Sequence, residues 1–396
     1  MSRRLAASVR RALDAVMAEY VPHRVPAAVL SVWDDDGERE TLAWGAQPHD
    51  HTPADADLLF DLASVTKISV STAFLMLVSQ GRVRLKDPLV SVIPEFGGAP
   101  RPVDGGQDPH TKAPLPTPPA LADQQVDPQA VTFYHLLTHT SGIAPWRDIY
   151  RAAGPTPRPP QEPDPVPRAV RWQRGIAAVC AAPFVAPPDA TIRYSDLGLM
   201  LLGESVARLA GQPLDAALAA LLGGVVDDVG VFSPVREHGI PLARIAPTED
   251  DPAWRGRRAW GEVHDENACG LGGVSGHAGL FNHARGVSQL AHRWLTGRLP
   301  IDPQLQAQAT RPCVVNGNDR RGLGFMIKAL EGSSAGDKLS EATYGHTGFT
   351  GTAFYVDPVH RQAITLLTNA VYYGRDTMPS YELRRAVYET VAEDFV

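Results

Sequence analysis

Ser64 and Lys67 stand three residues apart in the stretch FDLASVTKISVSTAFLMLVSQG. In a helix, positions three apart share a face, so the lysine amine comes within reach of the serine hydroxyl. A serine in a first helical turn also lies among backbone N–H groups that have no partner within the helix. These are the parts of nucleophilic acyl transfer: a hydroxyl, a group that takes its proton, and donors for a tetrahedral oxyanion. The same letters also describe an N-cap serine followed by a snorkelling lysine, the commoner arrangement. An ammonium at the mouth of so apolar a segment calls for a partner, because burying a bare charge is costly.

Two further short motifs carry compatible chemistry. Tyr194, Ser195 and Asp196 precede the apolar pattern LGLMLLGESVARLAG. Tyr194 is either a half-buried aromatic or a hydroxyl that moves a proton between serine and leaving group, and Asp196 either caps the helix or sets an anion in the site. His346, Thr347 and Gly348 open the run HTGFTGT. Its glycines allow close backbone approach to a ligand, and its alternative is a glycine-rich hairpin with a surface histidine.

Elements must bring these three motifs together. Two apolar runs around Asp36 and Gly37 predict a hairpin near the start of the chain, and Ser64 to Gln80 has helical length, ended by Gly81. Helices are expected over Thr132 to Thr138, Val170 to Ala181, Asp196 to Ala210, Pro213 to Leu222, Arg285 to Leu295 and Ser380 to Val391. ATYGHTG, TGTAFYVDP and QAITLLTNA read as an antiparallel meander. Eight prolines from Pro100 to Pro128 and seven from Pro155 to Pro167 exclude regular elements there and predict long loops over or beside a pocket. Strands early and late with helices between predict one sheet built from both chain ends: 1–80 and 265–396 as an α/β domain holding the Ser64 helix and the His346 strand, and 81–264 as a mainly helical insert.

Composition narrows the function. With 396 residues and 44% hydrophobic side chains the chain can fill complete cores. A formal charge of −7 without a basic block argues against a nucleic-acid partner. No run approaches the ~18 apolar residues of a membrane span. The N-terminal stretch interrupts its apolar pattern with Arg10, Arg11 and Asp14, so it reads as an amphipathic helix of a cytoplasmic protein rather than an export signal. Cys180, Cys269 and Cys313 make neither a disulfide framework nor a metal site. His135 and His139, four apart, lack an acidic companion, and GLGGVSGHAG lacks the phosphate-loop ending, so no metal or cofactor is expected.

The motifs, taken in order, resemble the serine beta-lactamase and penicillin-binding-protein family, in particular its class C and esterase-like branch. GRVRLKDPLVSVIPEF, FYHLLTHTSGI and GGVSGHAGLF look like the same family, and the resemblance runs over about residues 20 to 395. It implies an α/β sandwich of beta-lactamase/transpeptidase type with an inserted helical domain. It further implies that Ser64 is the acylated nucleophile, Lys67 its activator and Tyr194 a proton relay. The backbone N–H groups of Ser64 and Phe349 would form the oxyanion hole, with Asp196, His346, Thr347 and Gly348 toward the substrate. His139, His264, Asp265 and Asn267 are assigned to the cleft or to locking its loops, locking being preferred for the HDENA stretch.

Two departures from the family pattern shape the expected substrate. His346 stands where the strand motif usually begins with lysine, and an unperturbed histidine, with pKa ~6.5, is mostly neutral at pH 7. Asp196 stands where the tyrosine motif has asparagine, which favours a charged Lys67. Both disfavour anionic acyl donors. The expectation is a serine hydrolase acting through an acyl-enzyme on small neutral carboxylic esters. The alternatives are a D-alanyl-D-alanine carboxypeptidase, beta-lactamase or D-amino-acid peptidase, and a non-catalytic binding protein on the same fold.

Overall fold

A computed structural model describes residues 4–395. Its centre is an eight-stranded antiparallel sheet made from the two ends of the chain. The strands are β1 (Ala27–Asp34), β2 (Gly37–Gly45), β3 (Val314–Asn316), β4 (Asp319–Arg321), β5 (Met326–Ile327), β6 (Tyr344–Thr347), β7 (Ala353–Asp357) and β8 (Gln362–Thr368). In space they run β3-β4-β5-β6-β7-β8-β1-β2. The early hairpin therefore joins the late meander through β1 and β8, in the register Ala28 opposite Thr368 to Asp34 opposite Gln362.

Both faces of this sheet are buried, and the strand alternation divides them. Ala28, Leu30 and Val32 of β1, with Ile364 and Leu366 of β8, pack against the terminal helices α1 (Ala7–Tyr20) and α8 (Met378–Ala392) through Leu13, Met17, Leu383 and Val387. Ala27 and Val29, with Ala363 and Leu367, turn to the larger core on the other side. That core holds α2 (Thr66–Ser79), α3 (Phe133–Thr138), α4 (Arg168–Ala181), α5 (Asp196–Ala210), α6 (Leu214–Leu222) and α7 (Ala284–Thr296). Twelve of the fourteen residues of α2 are buried, because α2 is apolar around its whole circumference and lies among other helices.

Two local features differ from the sequence expectation. The nucleophile segment opens as a 3₁₀ turn, Ala63–Val65, and becomes α-helical only at Thr66. The sheet also continues past the predicted meander through β3, β4 and β5, two or three residues each, too short for an alternation to register. Because β5 pairs with β6 only at Tyr344 and Gly345, the His346 end of β6 extends beyond that neighbour. No helix among the described residues is long and apolar enough to cross a membrane.

Candidate active site

The Ser64 turn is held by Asp61, a residue the sequence reading passed over. Ala63 adopts φ 45°, a left-handed conformation unfavourable for an alanine. The Asp61 carboxylate accepts the Ala63 N–H at 2.8 Å and the His264 N–H at 2.6 Å, so one buried side chain joins the nucleophile turn to the HDENA loop. On the other side, Thr350 and Thr352 donate hydroxyl hydrogen bonds to the carbonyls of Asp61 and Leu62. Gly348 packs so closely there that a Cβ would lie 2.6 Å from the Leu62 carbonyl oxygen. Arg384 of α8, buried, donates to the carbonyls of Gly348 and Thr352 and fixes this turn from behind. The strand motif is thereby pressed against the nucleophile turn, with the Phe349 N–H one residue beyond the contact.

Lys67 is 1% exposed and has three oxygen neighbours, two that accept its hydrogen bonds and one carboxylate in an ion pair. They are Ser64 Oγ at 2.7 Å, the His277 carbonyl at 2.9 Å and the Asp196 carboxylate at 2.7 Å. Burial alone would lower its pKa, but Asp196 and Tyr194 outweigh burial and the net shift is upward. The resting lysine is an ammonium. Asp196 reaches it because Ser195, not Asp196, is the helix cap: the Ser195 hydroxyl accepts the Gly198 N–H at 3.0 Å. Asp196 is the first residue of α5, with its side chain free to face Lys67.

Tyr194 lies against this pair, with Lys67 Nζ 4.9 Å from the ring centroid and its hydroxyl in contact with both Lys67 and Ser64. Burial pushes its pKa up, which Lys67 only partly counters, so the phenol is protonated at neutral pH. His139, the left-handed C-cap of α3, takes the Ser195 N–H on Nδ1 at 3.1 Å and packs on Tyr194 with ring centroids 4.6 Å apart. It is a brace for the tyrosine.

His346 sits 5.9 Å from the Tyr194 ring and is 2% exposed. Its Nδ1 lies 2.8 Å from the Thr347 carbonyl, which can only accept, so Nδ1 carries the proton. Burial, then Lys67, lowers its pKa to about 3. The ring is neutral, and its bare Nε2 has no partner among the described residues. Thr347 turns its hydroxyl toward Met326 Sδ at 3.9 Å. Arg193 is exposed, whereas Arg321 of β4 lies 5.5 Å from the Tyr194 ring centroid and donates to Asp319 at 2.5 Å. Arg321 is thus the arginine beside the tyrosine, and its sequence neighbourhood gave no signal of that.

The HDENA stretch both locks and lines. Asn267 is fully buried, accepting the Tyr150 N–H at 2.9 Å and donating to the Arg147 carbonyl at 2.8 Å. Asp265 caps the short helix Glu266–Gly270 and pairs with His277 at 2.8 Å; burial would push its carboxyl up, but the His277 contact outweighs burial and holds it well below the usual range. The His277 carbonyl is the one that takes Lys67. His264 stacks on Phe349 at 5.7 Å and 22° and contacts Glu249 at 2.7 Å. His264, Asp265 and Glu266 share with Ser64, Trp146, Tyr194, Asp196 and Phe349 the wall of one cleft of about 290 Å³.

Two buried histidines in this cluster make the fold acid-sensitive. His139 is held well below its ordinary pKa, first by burial and then by Arg321 and Lys67, and His346 near 3. Both pKa values are depressed on folding, so the unfolded chain binds more protons as pH falls below ~6.5, and stability is lost from there downward. In urea titrations between pH 6.5 and 4.5, the His346→Gln protein should lose about 2 kcal/mol less stability than the wild type. Equal losses would mean that His346 is protonated in the folded state.

A serine bonded to a lysine one turn on and a tyrosine from the neighbouring helix start meet at one cleft, and Phe349, next after the strand motif, joins its wall. The beta-lactamase family model matches residues 9–389. The chain belongs to the beta-lactamase family. Its similarity to a "Putative D-alanyl-D-alanine carboxypeptidase" of Escherichia coli (strain K12) is 27% identity over 390 residues, covering 90% of this chain and 81% of that protein. Among solved structures it is similar to simvastatin synthase (LovD) from Aspergillus terreus, with TM-score 0.72, 20% identity and coverage of 98% and 99%. It is also similar to EstCE1, a hydrolase with promiscuous acyltransferase activity, with TM-score 0.66, 18% identity and coverage of 96% and 98%. At these identities the two structures establish the beta-lactamase fold.

Proposed function

We propose that the chain is a serine hydrolase that forms an acyl-enzyme on Ser64, with small neutral carboxylic esters as acyl donors. The observation that carries the substrate class is His346: where the family motif has a lysine, this chain holds a buried, neutral ring with an unprotonated nitrogen beside Tyr194. A carboxylate there would face a lone pair. EstCE1, a hydrolase with promiscuous acyltransferase activity, and the simvastatin synthase LovD lend support to an esterase-like branch.

In this reading no free base is required. Ser64 Oγ accepts from Lys67, so its own proton can pass to the Tyr194 oxygen as the Tyr194 proton passes to the leaving-group oxygen. The serine C–O bond forms, the ester C–O bond breaks, and the charge of the Lys67–Asp196 pair is unchanged. The tetrahedral oxyanion sits between the N–H groups of Ser64 and Phe349. Water then reverses the relay and releases the acid.

A second reading, peptide or beta-lactam recognition through a carboxylate, is favoured by Arg321 beside Tyr194 and by the name of the E. coli relative. Matched esters with and without a carboxylate, together with a cephalosporin, separate the two by kcat/KM at pH 7.5. The neutral ester should be preferred, and His346→Lys should narrow the gap about tenfold, equivalent to about 1.4 kcal/mol. The preference should stay constant from pH 8 to pH 5.5, because His346 does not titrate there. A wild type that prefers the anionic members, and loses that preference in Arg321→Met, would establish the second reading instead.

A further inference from the structure

The first proline-rich tract is a folded strap. Within residues 104–116 the Asp108 N–H donates to the Ala113 carbonyl, Lys112 to Asp108 and Leu115 to Gly106, each at 2.9 Å. Its base is tied to the segment after α3: Asp104 pairs with Arg147 at 2.6 Å, and Gln107 Oε1 accepts the Asp148 N–H at 2.9 Å. Its tip carries Pro109 and His110 into the wall of the Ser64 cleft.

One side chain pins that tip. Lys112 Nζ stands 4.0 Å from the Trp146 ring centroid and 3.4 Å from Glu266, and both of those residues line the cleft. Glu266 is itself anchored by Arg375 at 2.7 Å. The ammonium therefore bridges the strap to two walls of the cleft, while the backbone at Lys112 adopts a left-handed φ of 61°.

From this arrangement we infer that residues 104–116 are a size-selecting strap, latched by Lys112, which limits the length of the substrate group that the Ser64 cleft accepts. The inference rests on Ser64 as nucleophile. Lys112→Ala removes the latch and leaves the base contacts, whereas Lys112→Arg keeps a cation for Trp146 and Glu266.

Two alkyl fluorophosphonates, one ethyl and one decyl, report reach through their rates of labelling Ser64. A cation–π contact together with an ion pair should shift strap opening about tenfold, so the decyl-to-ethyl rate ratio should rise by about that factor in Lys112→Ala and stay near wild type in Lys112→Arg. Hydrogen exchange at Asp108, Lys112 and Leu115 should quicken in the alanine protein alone. Labelling with an unchanged ratio, or unchanged exchange, overturns the strap. If neither probe labels Ser64 in any of the proteins, the nucleophile assignment fails and the strap's role falls with it.

Discussion

Ser64→Ala should lower ester hydrolysis by about 10⁴-fold or more, since removing a nucleophile leaves only the contribution of the oxyanion donors and binding. The fold should be intact: Lys67 keeps Asp196 and the His277 carbonyl as partners, and Asp61 still holds the turn through backbone N–H groups. In the wild type, a fluorophosphonate should add a single adduct to the peptide containing Ser64. An adduct on Ser141 or Ser195 would refute the assignment. Ser195 is a poor nucleophile, because its hydroxyl is buried and already donates to the Ala144 carbonyl at 2.8 Å.

Tyr194→Phe should cost about 10² to 10⁴ in kcat for alkyl esters, the usual worth of a positioned proton-transfer group. The ring contacts to His139, His346 and Lys67 survive the change, so the thermal midpoint should move little. The loss should shrink for nitrophenyl esters, whose leaving group departs with little help. A uniform loss across leaving groups would make Tyr194 a packing residue, and undiminished hydrolysis of an ethyl ester would remove it from the relay.

Much of the architecture was legible because its longer elements carry their own signals. The helix predicted over Asp196 to Ala210 forms over those residues, and Arg285 to Leu295 lies within Ala284–Thr296. Apolar spacing and the Gly211 and Gly297 ends suffice there. Ser64, Tyr194 and Phe349, the residue after the His-Thr-Gly run, line one cleft, while His346 is buried beside the Tyr194 ring. β3 to β5 escaped notice, although Asn316, Gly317 and Asn318 are a hairpin signal.

What the sequence did not disclose are partnerships between distant segments. Asp61 matters because it meets a backbone N–H two hundred and three positions away. Arg321 reaches Tyr194 through sheet geometry, and Arg384 reaches Gly348 from the last helix. Ser195 took the cap and freed Asp196 for Lys67, a choice between adjacent polar residues that local preference leaves even.

The pairing of β1 with β8 also constrains how the molecule is made. Ala28 waits for Thr368, so more than three hundred residues of nascent chain emerge before the first strand meets its partner. At about 5–20 residues per second that delay is roughly 20 s to 1 min, during which the hairpin Ala27–Gly45 exposes an unpaired, apolar edge. The sheet therefore closes only after residue 368 has been made, through contacts of very long range, which makes folding slow. A ribosome stalled before Gln362 would hold a chain with the Ser64 turn already synthesised and the sheet that supports it still open.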